Sequence, residues 1–331
     1  MRNSEKGAQV AAVFPQIKLV YGDLDATAMI EEEASKADIV FRKICTVLCC
    51  GRELTDTDFA NADHKVSAEA LVRGLVRRQA STPGFLIHTS GSLILGWQSM
   101  REETFGEARD KVYNDWDGVN ELLSLPDDAA HRDVDKVILA ASKDNPDKIK
   151  TAIVCPPIIY GEGRGFQKRS VQIYQSTEAF LKTGQAFMVG KGENRWHEVH
   201  VADLAKLYLL LGEAAAVGGS PATWNDQGYY LAENGSRKWG DIMTAIAKEA
   251  NKQGFLPSTE VKHFSAEDAA KINPFLHFAT GTDSQGEAVR GRRLLGWKPQ
   301  ERSLIEEIPT VVTSEAKALG LLKGHAEKVE Q

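Results

Sequence analysis

The feature that most constrains the fold is a regular alternation of short apolar runs with amphipathic segments along the first half of the chain. The apolar runs have strand character and begin at residues 17, 37, 84 and 149, as IKLVYGD, ADIVF, GFLIHTSGS and IKTAIVCPPIIYG. Segments with helical spacing stand between them, DATAMIEEEASKAD, HKVSAEALVRGLVRRQ and HRDVDKVILAASK. This alternation predicts an α/β fold, a doubly wound parallel sheet covered by helices on both faces.

The pattern changes beyond Gly165, where helical segments dominate. These segments are SVQIYQSTEAFLKTG, VADLAKLYLLLGEAAA and WGDIMTAIAKEANKQG, with one short strand, GYYLAEN. Open α/β sheets bind ligands beyond the carboxyl ends of their strands. We therefore predict a sheet domain over residues 1–165 and a smaller, mostly helical C-terminal lobe over 166–325, partly interleaved with the sheet.

Composition excludes several function classes. The chain has 46 acidic and 40 basic residues and a formal charge of −6, so it offers no cationic face to a nucleic acid. No apolar run approaches the ~18 residues that cross a bilayer, and the start MRNSEKG lacks the apolar core of a signal peptide, which predicts a cytoplasmic protein without membrane contact. The four cysteines lack zinc-site spacing, so no metal site is expected.

The first sixty residues depart from the pattern twice. No G-x-G-x-x-G loop joins an N-terminal strand to a helix, and RNSEKGAQVAAVFP has the pattern of a strand end followed by a helix. We expect that the first strand and its phosphate-binding loop are missing, which would truncate the sheet. Residues 42–58, RKICTVLCCGRELTDTD, continue no period. They are open to three interpretations: a thiol site, an inserted surface loop, or translated non-coding sequence, which we favour.

Five short motifs follow one another along the chain. They are FANADH from residue 59, HTSGS from 88, HRDVDK from 131, PPIIYGEG from 156 and ENRWHEVHVADLA from 193. Together they resemble the extended short-chain dehydrogenase/reductase superfamily, in its NAD-dependent epimerase/dehydratase group. The likeness is greatest to fungal NAD(P)-binding-domain proteins and spans about Tyr21 to Pro299. It implies a Rossmann-type domain, NAD or NADP as cofactor, and a small-molecule substrate.

The resemblance implies a set of cofactor contacts. The GDL string at Gly22 resembles the segment near the adenine, although Asp23 is equally consistent with a helix N-cap. Small residues in FANADH resemble the turn that passes close to the cofactor. The implied cofactor-binding residues are Asp23, Leu24, Ala60, Asn61, Thr89, Lys136, Pro157 and Ile158.

The resemblance also locates the catalytic residues. HTSGS resembles the strand end that supplies a catalytic serine, here Ser90. In the superfamily's Y-x-x-x-K motif a tyrosine transfers a proton and a lysine one turn later lowers its pKa. Lys136 fits the lysine, but Arg132 occupies the tyrosine position, and arginine does not donate a proton near neutral pH. Tyr113 and His131 are the replacements we consider, although neither has the motif's spacing.

The later motifs of the resemblance indicate the substrate-binding residues. PPIIYGEG resembles the family's P-x-x-x-Y-G-x-G turn, and HVADLA follows an arginine that often meets an anionic group. The implied substrate residues are Tyr160, Arg195 and His200. His200 is also typical of a structural histidine, Asp203 of a helix cap, and Trp239 and Trp297 of core residues. Helix-paired dimers are common in the superfamily, so a homodimer stays open.

Three functions are consistent with these motifs. The first is an NAD(P)-dependent oxidoreductase acting on a small alcohol, an aldehyde or a sugar-nucleotide-like substrate. The second is a non-catalytic NAD(P)-sensing or regulatory protein, which needs the cofactor pocket but no proton relay. The third is an inactive truncated gene product. Cofactor binding separates the third from the others, and turnover separates the first from the second.

Overall fold

The computed structural model describes residues 4–42, 63–165 and 168–322, and all structural statements below concern these residues. The helices are α1 (Ser4–Val13), α2 (Thr27–Ala34), α3 (Lys65–Val76), α4 (Trp97–Arg101), α5 (Val119–Leu123), α6 (Arg132–Asp144), α7 (Gln172–Thr183), α8 (Val201–Ala216), α9 (Trp239–Lys252), α10 (Ala266–Ile272), α11 (Leu276–Gly281), α12 (Arg290–Leu295) and α13 (Leu304–Ala318). Short 3₁₀ turns lie at Ser92–Gly96 and Asn225–Gln227. The strands are β1 (Ile39–Arg42), β2 (Gly84–Thr89), β3 (Tyr113–Asn114), β4 (Ile149–Cys155), β5 (Ile158–Tyr160), β6 (Ala186–Val189), β7 (Arg195–His200), β8 (Tyr229–Leu231), β9 (Ser236–Lys238), β10 (Val261–Phe264) and β11 (Gly286–Glu287).

The central sheet is parallel, with strand order β1-β2-β4-β8. Successive side chains of a strand point to opposite faces. On β2, His88 contacts Asp135 of α6, whereas the next residue, Thr89, contacts Tyr208 of α8. Helices α6 and α8 therefore cover opposite faces, and the predicted doubly wound α/β fold is confirmed.

The predicted strand at Ile17–Asp23 is wrong. The chain forms no strand there, and the side chains of Ile17 and Tyr21 are 46% and 48% exposed. A strand forms where a neighbouring strand takes up its backbone N–H and C=O groups. Strand β1 ends the sheet within the described ranges and pairs only with β2. Alternating hydrophobicity alone therefore does not place this run in the sheet.

The other predicted elements of the first half are present. Helix α1 confirms the helix predicted near the start, and α2, α3 and α6 lie where helical spacing predicts them. The run from Ile149 divides at Pro156 into β4 and β5, which belong to different sheets, because proline has no N–H for a strand ladder. Residues 1–3 and 43–62 lie outside the described residues, and with them most of the anomalous stretch 42–58.

Two hydrophobic cores hold the molecule together. The first surrounds the central sheet and includes Ile87, Val154 and Tyr230, together with Trp297. The second joins α7, α9 and α13 to the parallel pair β10-β6 and includes Trp239. Both tryptophans are core residues, as predicted. The division at residue 165 stays a prediction. Across the three described ranges, no helix combines the length and apolar character that a bilayer crossing requires.

Candidate active site

A large cleft lies beyond the carboxyl ends of β2 and β4, with a volume of about 1190 Å³. Its floor is formed by residues that follow these strands, Ser90 to Leu93 and the Pro156–Pro157 turn. The loop after β5, the start of α8 and the segment Lys298–Glu301 supply further walls. Its position is that of ligand sites in open α/β sheets.

Three residues with hydroxyl groups line the cleft at the end of β2, and they differ in their partners. Thr89 Oγ1 is hydrogen-bonded to Tyr208 on α8. Ser90 Oγ donates to Asp135 Oδ2 at 3.0 Å. Ser92 is 5% exposed, and its Oγ is buried without a hydrogen-bond partner among the described residues. Because this oxygen is shielded from solvent, Ser92 contributes other atoms to the cleft wall.

The start of α6 contributes one side chain to the cleft. His131, the residue just before the helix, lines the cleft, whereas Asp135 is fully buried behind the floor and bonded to Ser90. Arg132 donates to Leu123 O at 2.6 Å, and Lys136 pairs with Asp127 at 2.9 Å on the exposed surface. Neither position of the predicted motif therefore reaches the cleft.

His131 has an unusual backbone and a specific partner. Its φ of 64° is left-handed, and its side chain makes no cap hydrogen bond to α6. Its Nδ1 lies 2.6 Å from Asp63 Oδ1, just before α3. Burial raises the pKa of Asp63, but the hydrogen bond and charge of His131, with the charges of Arg42 and His88, leave that pKa below its usual value.

The opposite edge of His131 lies against Gly91. A Cβ atom on Gly91 would be 2.9 Å from His131 Nε2, so the ring fits there because glycine has no side chain. Nε2 has no hydrogen-bond partner among the described residues, and the whole side chain is 9% exposed. Gly91 stands between Ser90 and Ser92 in the chain. The imidazole therefore lies beside the two serines at the cleft floor.

A buried polar network supports this floor from behind. Arg42 donates to His88 Nδ1 at 2.9 Å, and His88 Nε2 lies 3.3 Å from Asp135 Oδ1. Since a guanidinium only donates, the His88 proton is on Nε2, toward Asp135. Tyr229 also donates to Asp135, at 3.3 Å. Burial lowers the pKa of His88, despite the nearby carboxylate, and lowers that of Arg42 to about 10.

No protein-family model matches the chain. It is 34% identical over 329 residues to oxidase ucsJ of an Acremonium species, covering 97% of this chain and 90% of that protein. It is 26% identical over 310 residues to an uncharacterized Saccharomyces cerevisiae protein, covering 93% of this chain and 87% of that one.

Solved structures share the fold. The dTDP-glucose 4,6-dehydratase DesIV of Streptomyces venezuelae, solved with NAD bound, has a TM-score of 0.63 at 15% identity, covering 97% of this chain and 86% of that one. The UDP-glucose 4-epimerase of Thermotoga maritima has a TM-score of 0.59 at 13% identity, covering 96% of each chain. The chain therefore belongs to the same family as oxidase ucsJ, and it shares its fold with the dehydratase and the epimerase.

The superfamily's cofactor positions are only partly gathered at the cleft of this chain. Thr89 and Pro157 line it, whereas Ile158 is buried in the second core and Lys136 lies outside. Asp23 is exposed and its Oδ1 accepts from the backbone N–H groups of Asp25 and Ala26, which makes it a local turn cap. Leu24 does not line the cleft either. Ala60 and Asn61 lie outside the described residues.

The superfamily's substrate positions do not line the cleft in this chain. Tyr160 donates to Arg302 O at 2.9 Å. Arg195 lies on β7, where its backbone N–H donates to Asp283. His200 caps α8 by accepting from the Ala202 N–H, and its Nε2 lies 3.6 Å from Glu307. These substrate roles stay predictions that the geometry does not support.

Tyr113, the predicted alternative proton donor, lies away from the cleft. It is buried on β3, and its hydroxyl accepts from Trp97 Nε1 at 2.9 Å. Burial raises the pKa of this phenol. Of the predicted catalytic residues and the alternatives considered for the tyrosine, Ser90 and His131 line the cleft. Sequence reasoning considered His131 only as a replacement and missed Asp135, although Val134, Ile138 and Ala141 form an apolar stripe that places Asp135 on the buried face.

Proposed function

We propose that the protein is an NAD(P)-dependent oxidoreductase of the epimerase/dehydratase type, which interconverts an alcohol and a carbonyl compound in the cleft. The observation that carries this proposal is the cleft itself, which lies beyond the carboxyl ends of the parallel strands β2 and β4 and is lined there by Thr89, Ser90 and His131. The substrate class is a small alcohol or aldehyde, or a sugar-nucleotide-like compound. The oxidase relative and the NAD-bound dehydratase support this direction.

The cleft fits a dinucleotide in size and charge. Small-molecule sites usually enclose roughly 300–1,000 Å³, and this cleft, at about 1190 Å³, leaves room for cofactor and substrate together. Arg164, Lys206 and Lys298 line it and have no carboxylate partner among the described residues. These cations would hold the phosphates, and Gly91 and Pro157 would face the nicotinamide. When bound, NAD(P) would accept or supply a hydride.

The test is binding followed by turnover. Purified full-length protein is titrated with NADH and with NADPH, and bound cofactor is detected by its fluorescence. Saturable binding, weakened in Lys298→Gln but not in the exposed control Lys262→Gln, is expected because only Lys298 lines the cleft. Absence of binding to both cofactors would refute the proposal.

A non-catalytic NAD(P)-binding function is the second candidate. The observation that favours it is the orientation of Arg132 and Lys136, neither of which reaches the cleft. A protein that only senses the cofactor would bind NADPH and oxidise it with no carbonyl compound. Oxidation of NADPH by any member of a panel of aldehydes, ketones and sugar nucleotides would exclude this second function.

A further inference from the structure

The cleft contains one titratable pair that the superfamily's tyrosine and lysine do not account for, His131 with Asp63. We propose that His131, oriented by Asp63, is the catalytic acid and base of this protein, acting on the oxygen of a substrate bound in the cleft. This inference rests on the proposed oxidoreductase function and deepens it. It assigns the proton transfer to a histidine at the N-terminal end of α6 in place of a tyrosine inside the helix.

The backbone of His131 is the first argument. A left-handed conformation costs a residue with a Cβ atom about 1–2 kcal/mol, and such strain is concentrated at functional sites. At this position the ordinary use of a side chain is to cap the helix, yet His131 makes no such bond. The fold therefore holds the ring in the cleft at a cost that capping does not explain.

The partner of Nδ1 is the second argument. The Asp63 carboxylate only accepts hydrogen bonds, so at 2.6 Å the ring donates from Nδ1. This fixes the tautomer and leaves the lone pair of the neutral ring on Nε2, the arrangement of catalytic histidines. The pKa of Asp63 lies below its usual value, so this partner stays an ionised hydrogen-bond acceptor.

The surroundings of Nε2 are the third argument. This atom faces the backbone of Gly91 and has no hydrogen-bond partner among the described residues. His131 and Gly91 both line the cleft. A substrate hydroxyl bound beside Gly91 can therefore donate to Nε2.

The other titratable groups near the cleft floor are already engaged in buried polar contacts. Asp135 accepts from Ser90 and Tyr229, and His88 is fully buried between Arg42 and Asp135. Neither reaches the cleft. His131 is the residue of this cluster that combines a titratable ring with access to the cleft.

The proposed step balances as follows. In the oxidation of an alcohol, the O–H bond breaks and its proton passes to Nε2 of His131. The hydride on the same carbon leaves to NAD(P)⁺, so the alcohol loses two electrons and becomes a carbonyl compound. The imidazolium then releases its proton to water. In the reverse direction the hydride returns from NAD(P)H to the carbonyl carbon, and His131 donates the proton to the oxygen.

Two variants of His131 test the role without disturbing its backbone. Asparagine and glycine both tolerate positive φ, so His131→Asn and His131→Gly keep the loop. We expect kcat to fall by about 10²–10⁴-fold in both, the usual contribution of acid–base catalysis. Added imidazole should restore turnover in His131→Gly only, and NADPH affinity should be unchanged. The control His263→Asn replaces an exposed histidine bonded to Gly190 O and should keep wild-type turnover.

A measurement without turnover completes the test. Diethyl pyrocarbonate modifies unprotonated imidazole nitrogens, and mass spectrometry locates the product. We expect modification of His131 in the free protein and protection by NADPH, whereas His263 is modified in both states. Wild-type turnover in His131→Asn, or a His131 that resists the reagent while His263 reacts, would overturn the inference and leave the oxidoreductase proposal standing. A wild-type protein that neither binds nor oxidises NAD(P)H would refute both.

Discussion

The buried carboxylate of Asp135 provides the sharpest test of how the floor of the cleft is held. We expect Asp135→Asn to lower the free energy of unfolding by about 2–4 kcal/mol. Ser90 and Tyr229 donate to one oxygen of Asp135, at 3.0 and 3.3 Å, and the His88 ring lies 3.3 Å from the other. The amide has nearly the same shape, so the change removes charge and acceptor capacity but leaves the packing.

The magnitude follows from these contacts. Hydrogen bonds to a charged acceptor contribute about 1.5–3 kcal/mol, against about 0.5–1.5 kcal/mol for neutral pairs, so two bonds lose about 2 kcal/mol together. The Arg42 guanidinium, which reaches Asp135 through His88, also loses its counter-charge. Breaking a buried ion pair costs about 3–5 kcal/mol. Because the charge of Asp63 also stabilises the Arg42 guanidinium, Asp135→Asn removes only part of the electrostatic stabilisation of Arg42. The total loss of unfolding free energy therefore stays near about 2–4 kcal/mol.

Urea unfolding followed by tryptophan fluorescence measures this change. The matched control is Asp133→Asn, the same substitution two residues earlier on the same helix, at an exposed position. Asp133 interacts mainly with the first turn of α6, so its loss is expected to cost less than about 1 kcal/mol. Equal effects of the two variants would refute the argument that the buried network stabilises the cleft floor.

Three further predictions concern other parts of the molecule. Burial raises the pKa of Asp115 to about 6, so the folded state holds a proton that the unfolded state releases near pH 4. The free energy of unfolding should therefore fall by about 2–3 kcal/mol between pH 4 and 6. Urea unfolding should show a weaker pH dependence of this free energy in Asp115→Asn than in the wild type, and parallel pH profiles would contradict the prediction. Lys136→Ala should leave NADPH affinity unchanged in a fluorescence titration, because Lys136 pairs with Asp127 outside the cleft. Tenfold weaker binding would contradict this and indicate that Lys136 contacts the cofactor. Gly161→Ala should lower the free energy of unfolding by about 1–3 kcal/mol. The φ of Gly161 is 88°, and the new Cβ would lie 2.1 Å from His200 Nε2. An unchanged urea midpoint would contradict this and show that the turn adapts.

The sequence by itself determined the fold class and most elements of the sheet domain. Hydrophobic periodicity of 2 and of 3.6 residues is set by local backbone geometry, so β1, β2, β4, α3 and α6 follow from the pattern of the chain. The motif order indicated the resemblance to the superfamily for a similar reason, because a turn such as Pro156–Pro157 is specified by its own residues. The position of the cleft at the strand ends also follows, because all strands of the central sheet run parallel.

Only the tertiary structure decided which side chains meet in that cleft. Arg132 and Lys136 have the spacing of the superfamily's motif, but α6 packs so that both lie outside the cleft, and His131, the left-handed residue just before the helix, lines it instead. Strand formation at Ile17–Asp23 likewise depends on a neighbouring strand and not on its own alternation. The pairing of His131 with Asp63 joins residues 68 positions apart, so no local pattern encodes it. These are contacts between distant segments, and their energies exist only once the chain has folded.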